Sequence, residues 1–194
     1  MSESKKIFNL PNILTLLRIA VIPLIMVLMY LQGLGYLQTT NLVLGYVAAF
    51  LFLAAAISDL VDGYFARKYN MVSLIGKMID PMADKLVHMA VMVMFIPLGV
   101  IPAWLVVVHL FREILITGIR SVAAGYNVIM AADSLGKKKT VFLNCALTAF
   151  LLGNTFLGIS SYTFGWFCLI VATVLSLISG YQYLAVFYEK VIKK

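Results

Sequence analysis

Charge is what this chain lacks. Only 12% of its 194 residues are charged, and acids are the scarcer sign, with Asp+Glu 8 against Lys+Arg 15. The charges are also confined: no Asp, Glu, Lys or Arg occurs from Ile19 to Ser58, from Leu86 to Phe111 or from Thr140 to Tyr188. Runs of that kind exclude an ordinary soluble domain, where apolar residues make up roughly 45 to 50%. Cysteine is nearly absent too. Cys145 and Cys168 stand inside apolar runs without metal-ligand spacing, so neither a disulfide framework nor a thiolate metal site is expected, and both are read as buried packing residues. No internal repeat, low-complexity stretch or linker divides the chain, which predicts a single domain over residues 1–194. The basic residues are dispersed among apolar segments, which argues against nucleic acid as a partner.

What the chain has instead is hydrophobicity, 63% of all residues, with a mean hydropathy of +1.01. A helix needs about 20 apolar residues to cross a bilayer. Glycine, proline and polar punctuation divides the uncharged runs at Gly33 to Asn41, Pro97 to Pro102 and Gly158 to Ser161. The result is an all-α membrane protein with six predicted transmembrane helices, at about 10–31, 42–66, 76–96, 101–124, 140–158 and 163–187. Residues 2–8 are expected to lie along the membrane surface, and the N-terminus lacks the small-residue cleavage site of a removable signal peptide. Basic residues gather at both termini and in the second and fourth connections, while the first, third and fifth carry no charge. The positive-inside rule therefore puts the termini and the even-numbered connections in the cytoplasm. The net charge of +7 suits that surface and anionic membrane lipid.

Half of the acids fall in one segment, at Asp59, Asp62, Asp80 and Asp84. At 100° per residue, Asp59, Asp62, Gly63 and Ala66 share a stripe about 100° wide, and Gly76, Asp80 and Asp84 repeat every four residues on one face of the next helix. Two carboxylates on each of two consecutive helices can converge, and the small residues leave room for close helix approach or a ligand. An Asp at the centre of a membrane helix costs about 2.5 to 3.5 kcal/mol on insertion scales, so four of them need compensation. Two readings supply it. Arg67, Lys68, Lys77 and Lys85 could form ion pairs, although Lys68 and Lys85 project away from the acidic faces. Divalent cations, Mg²⁺, Mn²⁺ or Ca²⁺, match clustered hard oxygen donors better, and two such ions would neutralise four carboxylates.

The pattern Asp59-x-x-Asp62-Gly63-x-x-Ala66-Arg67, eight residues, Gly76-x-x-x-Asp80-x-x-x-Asp84 resembles the full signature of the CDP-alcohol phosphatidyltransferase family at every position. The flanks, Asn9 to Arg18, Phe111-Arg112-Glu113 with Arg120, and Leu135-Gly136-Lys137-Lys138-Lys139-Thr140, are similar to the branch that makes phosphatidylglycerophosphate. The resemblance implies transfer of a phosphatidyl group from CDP-diacylglycerol to sn-glycerol 3-phosphate with release of CMP. It implies a homodimer in the bacterial cytoplasmic membrane with the active site facing the cytoplasm. Asp59, Asp62 and Asp80 would bind Mg²⁺ or Mn²⁺, and Asp84 would share the second metal or act as the general base on the acceptor hydroxyl. Thr15, Arg18, Asp62, Gly63, Ala66, Arg67 and Gly76 would receive the nucleotide donor.

An acceptor that carries its own phosphate calls for a second basic site, and Arg112, Arg120, Lys137 and Lys139 are its candidates. Arginines in an apolar helix are functional by default, and a guanidinium fork suits phosphate oxygens. Each has a plainer alternative: Arg18 and Arg67 as orientation charges, the lysine run as a solvated loop. His88 and His109 are read as packing or hydrogen-bonded core residues. Asp133 adds an acid near the expected acceptor pocket, where the branch is expected to carry small or neutral residues. A sibling transferase with another alcohol acceptor fits the same signature. A divalent-cation carrier would need acids along a path through several helices, and the first, fifth and sixth helices have none.

Overall fold

The computed structural model describes residues 10–34, 38–68, 74–126, 128, 130, 134–153, 155–156 and 159–193, without the side chains of residues 10–14, 38–41, 59–68, 74–81, 84, 155, 156, 159 and 192. The expected interfacial segment 2–8 and Asp133 lie outside the described residues. Six long helices carry the fold: α1 Leu10–Gly33, α2 Gln38–Lys68, α3 Leu74–Met94, α4 Ala103–Gly125, α5 Ser134–Leu152 and α6 Ser161–Phe187. A π-helical turn, Tyr188–Ile192, continues α6. The all-α expectation is amended only by a two-residue antiparallel pairing that sets Thr155 opposite Ser160 and Phe156 opposite Ile159.

Helix ends follow local chemistry. α4 begins after Pro102, whose extended backbone (φ −70°, ψ 143°) suits the position before a helix. The expected fifth helix, 140–158, is displaced: it starts at Ser134 and stops at Leu152. Its stop is Gly153, which holds a left-handed φ of 59° that glycine adopts without steric cost. Its start takes in Lys137 to Lys139, good helix formers that the sequence places in a connection.

The described residues form two compact units, one of residues 1–100 and 150–154, the other of residues 101–149 and 155–194. In the first, α1 packs against α2 and α3 around Ile25, Met29, Phe52, Val87, Val91 and Phe95. Phe95 meets Phe150 edge-on, and His88, buried as expected, sits edge-on to Phe52. Gly45 lets α2 come close: a Cβ there would stand 2.5 Å from the Leu151 carbonyl oxygen and 3.0 Å from Gln32 Nε2.

In the second unit α4 packs on α6. The buried residues of α4 are Leu105, Val106, His109, Arg112, Ile116, Ile119 and Ala123, and apart from Val106 they recur every three or four positions along one stripe. The facing stripe of α6 is mostly small: Ser161, Gly165, Cys168, Ala172, Ser176, Ser179 and Gly180. Small residues let helices approach where apolar burial alone gives no preference for one partner. Cys168 is buried, but Cys145 is exposed, contrary to the expectation for it. The period of α5 puts Cys145 with Lys138 and Val141 on the outward face, while Lys139, Leu143, Ala146 and Leu147 turn inward.

Two described segments, Thr15–Gly33 and Ser161–Val191, are long and apolar enough to cross a membrane; 42–58 and 85–94 are shorter apolar stretches. Large apolar side chains such as Phe50, Trp104, Phe111, Ile114, Phe167 and Tyr181 are exposed along the helices. A water-facing monomer rarely shows so much continuous apolar surface.

Candidate active site

The aspartates occupy the adjoining ends of consecutive helices. Asp59 and Asp62 lie in the last turns of α2, with Gly63, Ala66 and Arg67, and Gly76, Asp80 and Asp84 lie in the first turns of α3. Their side chains are outside the described residues, so the proposed ligands are located by helix position alone. Carboxylates spaced in this way on two neighbouring helix ends form a donor set suited to hard divalent cations. Among the described residues no other group of three His, Cys, Asp or Glu side chains could hold a metal.

Beside this end of α2 lies Arg18. It is buried in α1, and its Nε and Nη2 donate to Ser58 Oγ at 3.4 and 3.3 Å. Ser58 Oγ itself donates to the Ala55 carbonyl at 3.1 Å, which turns its lone pairs toward the guanidinium. Arg18 is thus tied to the residue that precedes Asp59 in the chain. Thr15, one turn earlier on α1, is buried as well. Sequence reading missed Ser58, because a serine in an apolar run carries no signal until its neighbour is known.

The second unit gathers the other basic residues selectively. Arg112 is buried on α4 and donates three ways: Nε to the Ser176 carbonyl (3.4 Å), Nη2 to Ser179 Oγ (2.6 Å) and Nη1 to Glu113 Oε1 (3.0 Å). Lys139, buried on α5, pairs through Nζ with the same Glu113 oxygen. Glycine makes the space. A Cβ at Gly136 would stand 3.9 Å from Arg112 Nη2, and one at Gly180 would stand 3.6 Å from Arg112 Cγ. Arg120 and Lys137 are exposed, as is Lys138, so of the four candidates Arg112 and Lys139 are the buried ones.

His109 lies one turn before Arg112, and its Nε2 is 3.0 Å from Thr173 Oγ1. That hydroxyl donates to the Leu169 carbonyl at 2.7 Å, so it accepts from His109, whose Nε2 carries a proton. His109 Nδ1 and Ser176 Oγ are buried without a hydrogen-bond partner among the described residues. Helices α4, α5 and α6 thus present one anchored guanidinium, one tethered ammonium and two polar atoms without a partner among the described residues. Such a site suits an anionic, hydroxylated ligand.

Residues 8–178 match the CDP-alcohol phosphatidyltransferase family. The chain belongs to this family. Among its relatives, a Bacillus subtilis protein named CDP-diacylglycerol–glycerol-3-phosphate 3-phosphatidyltransferase is 40% identical over 186 residues, covering 94% of this chain and 96% of that one. A Rickettsia typhi protein of the same name is 39% identical over 179 residues, covering 90% and 94%. An Arabidopsis thaliana relative, numbered 2 under that name, is 37% identical over 164 residues, covering 76% and 66%. The family match runs through both units, from α1 to α6, and takes in the aspartate segment and the Arg112 cluster together.

Proposed function

We infer that this chain transfers the phosphatidyl group of CDP-diacylglycerol to sn-glycerol 3-phosphate, giving phosphatidylglycerophosphate and CMP. The observation that carries this reading is end-to-end similarity to proteins named for that reaction, at 40% and 39% identity. The buried Arg112 and Lys139 add support, because a phosphorylated acceptor needs such cations and a neutral alcohol does not.

Asp59, Asp62, Asp80 and Asp84 would hold two divalent cations, Mg²⁺ or Mn²⁺, which neutralise the donor pyrophosphate and polarise the phosphorus under attack. Thr15, Arg18, Asp62, Gly63, Ala66, Arg67 and Gly76 receive the nucleotide donor, Arg18 being steadied by Ser58. Arg112 and Lys139 hold the acceptor phosphate, with Arg120 and Lys137 at the exposed approach. Asp84 takes the proton from the acceptor hydroxyl as its oxygen attacks the phosphatidyl phosphorus and the bond to CMP breaks. An aspartate is weakly basic at neutral pH, so positioning carries much of the rate.

The setting is the bacterial cytoplasmic membrane. Six helices span it, the site faces the cytoplasm, the whole chain acts as one catalytic domain, and two copies pair as a homodimer in keeping with the family. The test is CMP release by the purified protein from CDP-diacylglycerol with Mg²⁺ or Mn²⁺, across a panel of acceptor alcohols. Glycerol 3-phosphate should be preferred, chelation should abolish turnover, and either ion should restore it. Folded protein inactive with every acceptor would end the enzyme reading; preference for another alcohol would end this choice of acceptor.

A further inference from the structure

Arg112 is anchored and still has donors to spare. Its bonds to the Ser176 carbonyl, Glu113 Oε1 and Ser179 Oγ use three of five N–H groups, and one N–H on each terminal nitrogen has no partner among the described residues. Around this anchor α4 and α6 run in parallel register: His109 meets Thr173 at 3.0 Å, and Arg112, three residues on, meets Ser176, three residues on, at 3.4 Å. Both helices bring a further polar atom to the same turn. His109 Nδ1 and Ser176 Oγ have no hydrogen-bond partner among the described residues, and their residues are only 3% and 0% exposed. Buried polar atoms are costly to leave unpaired, so two of them beside a guanidinium call for a ligand group. A hydroxyl suits both, because it can donate to the lone pair of an uncharged imidazole while accepting from a serine; a carboxylate only accepts and an ammonium only donates.

We propose that His109 and Ser176 form a hydroxyl subsite beside Arg112, which selects acceptors that carry a second, non-reacting hydroxyl close to their phosphate. The assignment rests on the proposed reaction. Glycerol 3-phosphate has two hydroxyls: the primary one attacks the phosphatidyl phosphorus, and the secondary one, on the carbon next to the phosphate ester, keeps its proton throughout. With the phosphate on the spare N–H groups of Arg112, the secondary hydroxyl pairs with His109 Nδ1 and Ser176 Oγ. A phosphorylated alcohol without that hydroxyl leaves both atoms unpaired, which is how a hydrogen-bonding site rejects a deoxy analogue. Specificity for the carbon skeleton is thereby separated from capture of the phosphate.

The test measures CMP release with sn-glycerol 3-phosphate and with 3-hydroxypropyl phosphate, which lacks only the secondary hydroxyl. Wild type should prefer glycerol 3-phosphate by about tenfold or more in kcat/KM, the size expected for one or two lost hydrogen bonds. In Ser176→Ala that preference should fall to about threefold or less. Alanine keeps the backbone carbonyl that holds Arg112 Nε, so the inhibition constant of inorganic phosphate, competing with the acceptor, should stay within about twofold of wild type. His109→Gln can replace Nε2 toward Thr173 but offers nothing at Nδ1. It should reduce the preference in the same way, and it serves as the test if the Ser176 variant does not fold. Equal use of the two acceptors by wild type, a preference that survives the substitutions, or an equal loss with both acceptors, as a purely structural role would give, overturns the proposal. Folded wild-type protein that releases no CMP with either acceptor overturns the reaction itself and this inference with it.

Discussion

At the scale of single residues, burial separates side chains that the sequence presents as equals. Arg112 and Arg120 are both arginines on one apolar helix, yet Arg112 is enclosed between Gly136 and Gly180 while Arg120 is exposed. Arg112→Ala is therefore expected to raise the acceptor KM about ten- to a hundredfold, as loss of hydrogen bonds to a charged group would. Arg120→Ala should change it only a fewfold, and steady-state kinetics with both substrates varied distinguishes the two. Asp84→Asn should lose turnover while donor binding, measured by calorimetry with a CDP-diacylglycerol analogue, persists; retained turnover would remove Asp84 as the base. The burial of Arg112 was legible because an arginine on a largely apolar helix has to answer for its cost. The choice of Lys139 from three adjacent lysines was not, since it depends on helix phase. Glu113's double pairing depends on α5 meeting α4, which no local pattern contains.

At the scale of elements, most helices could be read from the uncharged runs and the glycine and proline that bound them. The exception is α5, which starts six residues earlier than expected, at Ser134, and stops six residues earlier, where Gly153 rather than Gly158 ends it. That displacement turns the lysine run from a loop into helix and aims Lys139 inward. The Ser and Gly spacing on α6 was a second available signal, since Ser176, Ser179 and Gly180 are the face that receives Arg112. Close approach has a cost elsewhere as well. In α2, Gly45→Ala would put a methyl 2.5 Å from a backbone carbonyl that cannot turn aside. It should destabilise the protein by about 1–3 kcal/mol, as overpacking does, seen as a lower melting temperature in detergent with the substrate KM values unchanged.

At the scale of the whole molecule, one family match runs through two compact units that each hold a different part of the proposed chemistry. The aspartate segment and Arg18 belong to one, Arg112, Glu113 and Lys139 to the other. Topology is the property to test here. With six spans and the positive-inside rule, cysteines introduced at Ser2 and Lys193 should both resist a membrane-impermeant maleimide in intact spheroplasts and react in inverted vesicles. Labelling of the two ends from opposite sides would require an odd number of spans.

The Arg112 anchor also has an order of assembly built into it. Two of its three bonds end on α6, at the Ser176 carbonyl and Ser179 Oγ, and α6 leaves the ribosome after α4. Until then α4 carries a guanidinium two of whose three partners have not been synthesised, so the nascent chain should keep that residue near water or held by an insertase. Docking of α6 is then the step that commits the arginine to the interior.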